Sequence, residues 1–129
     1  MKRRTAREKA LQALFQIDVS QVEPESAIEH VLEGEKADEF LNKLVTGVLQ
    51  NKEMIDAEIR KYLEKWTLER LATVDRNLLR ISAFELIYHR EDVPANVVMD
   101  EAIEIAKLYG DEQSSKFING VLSKIKEQH

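Results

Sequence analysis

Apolar residues recur at three- and four-residue intervals along nearly the whole chain, and no segment alternates apolar with polar in twos as a half-buried strand would. That period leaves an all-α fold. The spacing predicts a first helix from about Thr5 to Asp18, with Ala10, Leu11, Leu14 and Phe15 on one face. Pro24 opens a short second helix (Ala27, Ile28, Val31, Leu32) that Gly34 ends. A third begins near Asp38 and carries Phe40, Leu41, Leu44, Val45, Val48 and Leu49. Asn51 is the expected N-cap of a fourth, which ends near Trp66, and Thr67 can cap a further turn. From Leu71 to Tyr88 the apolar positions cover more than one stripe, as in a helix packed on several sides. Asn96 is expected to cap a sixth helix closed by Gly110, and the last runs from about Ser114 to Lys126. About seven helices joined by short loops predict two small packed helical bundles, with residues 1–129 as one domain. Gly47 and Gly120 fall inside helical patterns, where each costs about 1 kcal/mol against alanine, and close helix crossing is the expected reason.

Charge is distributed unevenly along this pattern. Five of the first nine residues are basic (Lys2, Arg3, Arg4, Arg7, Lys9), giving +4 against Glu8 alone in a chain of net charge −5, so the remainder carries −9. A polyanion is drawn to this end and repelled by most of the rest. Thr5 and Glu8 have the spacing of a capping box, which places Arg3 and Arg4 just outside the first helix and Arg7 in its first turn. A cation there opposes the helix dipole and invites an anionic partner. A solvated basic tail accounts for the same composition equally well.

Other chemistry finds little support. The absence of cysteine removes thiol catalysis and cysteine-ligated zinc and suits a reducing cytoplasm. His30, His89 and His129 are scattered, so no metal or other cofactor is expected, and no apolar run approaches the ~18 residues that span a bilayer. There is no phosphate loop and no nucleophile elbow. Glu85, on the otherwise apolar fifth helix, reads as a buried carboxylate held by Arg80 or by backbone donors rather than as a catalyst. Around Gly110, however, Lys107, Tyr109, Lys116, Phe117, Asn119 and Lys124 mix cations, aromatics and an amide, the combination that single-stranded RNA sites use. Tyr109 and Phe117 fit the core stripes as well.

Three separated stretches, RRTAREKALQALFQID, DVPANVVMDEAIEIAKLYG and SSKFINGVL, together with VDRNLLRISAFEL, resemble the NusB family of transcription antitermination factors over essentially the whole chain. The resemblance implies two small perpendicular helical bundles and a non-enzymatic, cytoplasmic protein. It implies binding of boxA RNA in ribosomal RNA leader transcripts together with ribosomal protein S10 (NusE), within the antitermination complex of RNA polymerase. It carries RNA binding over to Lys2, Arg3, Arg4 and Arg7, and to Lys116, Phe117 and Asn119. The S10 face carries over to Phe15, Glu69, Asp75 and Arg76, although Asp75 also reads as an N-cap and Phe15 as core. The same domain resembles the N-terminal module of a ribosomal RNA cytosine methyltransferase, but this sequence has no room for a catalytic domain and no cysteine nucleophile. The alternative is a helical protein-interaction module without specific RNA binding.

Overall fold

The computed structural model describes all 129 residues and contains seven α-helices, one 3-10 turn and no strand. The helices are α1 (Arg3–Ser20), α2 (Pro24–Leu32), α3 (Glu39–Gln50), α4 (Lys52–Arg60), α5 (Thr73–Tyr88), α6 (Ala95–Tyr109) and α7 (Ser114–Gln128), with the 3-10 turn at Leu68–Arg70. Helices α1 to α3 pack on one another, as do α6 and α7, and α5 packs against α1, α3, α4, α6 and α7. It is therefore the shared wall of two bundles. That position explains its several apolar stripes: every residue from Asn77 to Leu86 is buried. The buried apolar side chains of all seven helices form one continuous cluster.

Local chemistry accounts for several boundaries. Pro24 sits at the first position of α2, where its missing N–H costs nothing, and the helix ends on Glu33 and Gly34, both at positive φ (51° and 84°). Asp38 caps α3 by accepting from the Leu41 amide at 2.9 Å. Gly47 confirms the close-crossing expectation, since a Cβ there would lie 2.3 Å from the Phe84 ring. Gly120 does not: nothing lies within 4 Å of the corresponding position, which faces open space.

Four capping expectations change. The chain enters α1 at Lys2, so Thr5 and Glu8 lie inside the helix, Arg3 and Arg4 form its first turn, and Lys2 makes no side-chain cap. Asn51 caps backward rather than forward, donating from Nδ2 to the Gly47 carbonyl at the end of α3. Helix α4 stops at Arg60, well before Trp66, and Thr67 makes no side-chain cap on the 3-10 turn. Pro94 occupies the N-cap of α6, with Asn96 inside the helix accepting from Lys126.

Candidate nucleic-acid interface

The basic start of α1 divides into held and free cations. Arg7 is 3% exposed, and its Nε and Nη2 donate to both oxygens of Glu85 at 2.9 and 2.8 Å, with Glu85 itself 1% exposed. Its Nη1 reaches Glu101 of α6 at 3.4 Å. Planar guanidinium and carboxylate match in this bidentate geometry, and neither charge can be buried without the other. Arg7 therefore ties α1 to α5 and α6, and its guanidinium, expected to meet phosphate, is turned into the fold. The same pairing corrects the expected partner of Glu85, which is Arg7 and not Arg80. Arg4, exposed, is hydrogen-bonded to Glu101, and this bond holds the Glu101 carboxyl below the usual carboxylate range despite partial burial. Lys9 donates to the Val31 carbonyl at 2.7 Å. Lys2 and Arg3 remain exposed without a carboxylate partner, and the Arg3 guanidinium lies 4.5 Å from the centroid of the Phe40 ring.

On α7 the three expected residues line two cavities rather than one. Lys116 and Phe117 line a cavity of about 420 Å³ between α7 and the segment that follows α4. Asn119 lies round the helix, in a separate cavity with Asn96, Asp100, Ser123 and Lys126 between α6 and α7. Helix α6, which packs along α7, carries Asp100 and Glu104 exposed and turns Glu101 toward Arg4 and Arg7 of α1. Lys116 has no carboxylate partner, and Phe117 is half-buried against the core.

The protein-partner candidates are also split. Phe15 is 39% exposed in a cavity of about 390 Å³ with Val74 and Tyr109, so it is not ordinary core. Tyr109 turns its hydroxyl to donate to Glu8 at 2.9 Å. Asp75 lies in the first turn of α5 but not at its N-cap, and it is 9% exposed with no protein donor to Oδ1. Burial pushes its carboxyl up, the nearby Ser114 hydroxyl opposes the shift, and the charge of Asp111 adds to it. Arg76 is committed internally: its Nε donates to Asp18 at 2.9 Å and its Nη1 to the Glu69 carbonyl at 3.1 Å. Glu69, exposed, pairs with Arg60.

Sequence reading missed two features. Glu101 meets Arg4 and Arg7 across more than ninety positions of chain, which no local pattern reveals. Arg80 pairs with both oxygens of Asp56 at 2.8 and 3.1 Å and with Asp18 at 3.3 Å, fastening α1 and α4 to α5. An arginine within a helix whose apolar positions cover more than one stripe was the available signal for a buried partner. No group of three or more histidine, cysteine, aspartate or glutamate side chains is arranged to hold a metal ion. No helix is long and apolar enough to cross a membrane.

A model of the NusB family matches residues 4–127. Among curated relatives, the transcription antitermination protein NusB of Bacillus licheniformis is 60% identical over 126 residues, covering 98% of this chain and 97% of that one. Among solved structures, NusB of T. maritima superposes with a TM-score of 0.90 at 42% identity, covering 100% of this chain and 93% of its own. A structure of antitermination factors NusB and NusE in complex with dsRNA gives a TM-score of 0.88 at 32% identity, covering 98% and 97%.

Proposed function

The chain belongs to the NusB family, and we propose that it acts in transcription antitermination by binding boxA RNA of ribosomal RNA leader transcripts together with ribosomal protein S10 (NusE). The assembly serves RNA polymerase in the cytoplasm and performs no reaction of its own. One observation carries the reading: the chain keeps free cations at two surfaces, Lys2 and Arg3 at the start of α1 and Lys116 beside Phe117 on α7, in an otherwise acidic protein. Partner specificity draws on the neighbour solved with NusE and RNA.

Lys2 and Arg3 supply phosphate contacts, and Arg4 joins them when a phosphate displaces Glu101. Each phosphate neutralised on a single strand contributes about 0.7 to the slope of log K against log salt, so affinity falls steeply as salt rises. Phe117 offers a stacking face and Asn119 an amide for base edges. Arg7 contributes indirectly by fixing the direction of α1.

S10 docks on the side of Phe15, Glu69 and Asp75, where acidic side chains meet a basic ribosomal protein. Phe15 supplies exposed apolar area there. Arg76 serves that face by holding the chain between the 3-10 turn and α5 in place through its carbonyl contacts. Protein and RNA then bind with positive coupling, typically about 1 to 3 kcal/mol.

The test is binding of a fluorescent boxA RNA and a scrambled control, each with and without S10, at two salt concentrations. Selective binding that S10 strengthens is expected. Binding that is unselective and indifferent to S10 would leave the protein-interaction module as the better reading.

A further inference from the structure

Trp66 is the only tryptophan of the chain, yet 58% of it is exposed. It follows α4 in a segment without regular structure, opposite α7. There it lines the 420 Å³ cavity together with Tyr62 and Phe117. Gly120 forms part of the same lining and has open space where a side chain would project. Gly120 thus contributes backbone and no side chain to this wall of the groove.

Charge around the groove is predominantly positive. Lys65 and Lys116 line it and have no carboxylate partner. Lys124 pairs at 3.3 Å with Glu64, both exposed, where such a pair is weak and readily exchanged. The neighbouring cavity shares Trp66 and Phe117 but sets two carboxyl groups, Asp75 and Asp111, against the single cation Arg70. A phosphate is thus favoured on one side of the aromatic wall and opposed on the other.

We propose that the groove between Trp66 and α7 is a subsite for an unpaired nucleotide of single-stranded RNA, with the base stacked on Trp66 and its phosphate held by Lys65 and Lys116. The proposal rests on the RNA reading of Lys116 and Phe117 and extends it across to the segment after α4. An aromatic face accepts any base, so the subsite adds affinity without selecting sequence. Lys65 and Lys116 are exposed while Tyr62 and Phe117 are half-buried, so a backbone meets the cations as its base enters against the aromatic rings. Cations near an aromatic groove that continues a nucleic-acid surface favour RNA over an apolar peptide.

Trp66 reports on its own occupancy. Fluorescent single-stranded boxA RNA is titrated into the full chain with S10 present, following RNA anisotropy and the tryptophan emission that the Trp66→Phe variant lacks. Saturable quenching of that emission in step with binding is expected. Trp66→Ala should weaken RNA binding about fivefold or more, the lower range for one base–aromatic stack, while Trp66→Phe retains most of the affinity. Lys65→Ala should lower both the affinity and the salt dependence. RNA that binds while Trp66 emission and Trp66→Ala affinity stay unchanged overturns the subsite alone. RNA that does not bind the unmodified protein overturns both the subsite and the RNA reading. Quenching by S10 alone, with RNA affinity insensitive to Trp66→Ala, assigns the groove to the protein partner and overturns the proposal.

Discussion

The start of α1 is the more densely basic surface in sequence, yet less of its charge is available than at the groove beside α7. At the start of α1, Arg7 is buried against Glu85, Arg4 is engaged by Glu101 and Lys9 is spent on a carbonyl. At the groove, Lys65 and Lys116 have no such partners and stand beside exposed aromatic surface. A guanidinium can satisfy a buried carboxylate with two parallel hydrogen bonds, so arginines near a helix junction are drawn into the fold. Exposed lysines stay in solvent and remain open to a ligand. Counting charges along a sequence therefore overstates the first surface and undervalues the second.

The sharpest way to break this comparison is Arg7→Ala. Removing one partner of a buried pair leaves Glu85 uncompensated, which should cost about 3 to 5 kcal/mol of unfolding free energy in urea titration. Arg3→Ala should leave the unfolding midpoint near that of the unmodified protein. If Arg7→Ala is equally stable and loses RNA affinity, Arg7 belongs with the free cations and the division fails.

The free half is tested by Lys2→Ala combined with Arg3→Ala. RNA affinity should fall about tenfold at low salt, and the slope of log K against log salt should shrink by about 1.4, the share of two phosphates on a single strand. Thermal melting should be unchanged. An unchanged salt slope would remove these two residues from the RNA surface.

Glu101→Gln probes the boundary between the two kinds of cation. With its anionic partner gone, Arg4 is released toward phosphate, and a rise in RNA affinity of about threefold is expected, in keeping with the small worth of an exposed ion pair. The variant should also be less stable at neutral pH. Because the Glu101 carboxyl is held below its ordinary value in the folded chain, its contribution is present above the ordinary carboxylate pKa. It is lost as pH falls through the lower folded value. Unfolding curves of the two proteins should therefore converge only in acid.

The smallest effect is expected at Asp75. Its carboxyl is raised by burial, so the folded state binds a proton more readily than the unfolded chain, and stability declines as pH rises between the unfolded and folded values. Asp75→Asn should melt slightly higher than the unmodified protein at neutral pH and match it at strongly acid pH. A stability–pH profile that is the same for both proteins would place Asp75 in a solvated setting.

The helical fold was legible because period and burial coincide: Leu41, Leu44, Val45 and Val48 face inward as their spacing predicted. The start of α3 near Asp38 was legible for a similarly local reason, and the structure adds the cap that the Asp38 side chain makes with an amide three residues on. Thr5 and Glu8 had the same kind of signal and it misled, because contacts of Arg4 and Arg7 with α5 and α6 set the start of α1 two residues earlier. Lys116 and Phe117 could be picked from composition, but the placing of Asn119 in a different cavity depends on where α6 and the segment after α4 pack against α7. Glu101 and Trp66 gained their roles only through such tertiary neighbours. Residue type announced what each side chain could do, and packing decided which were free to do it.

The most direct test of the account is to map amide chemical shifts of the isotopically labelled protein during titration with single-stranded boxA RNA. The account predicts that Lys2, Arg3, Lys116 and the Trp66 indole shift together with one affinity while the amide of Arg7 follows only weakly. Shifts confined to the Phe15 face, with the basic start of α1 and the Trp66 groove unmoved, would contradict it.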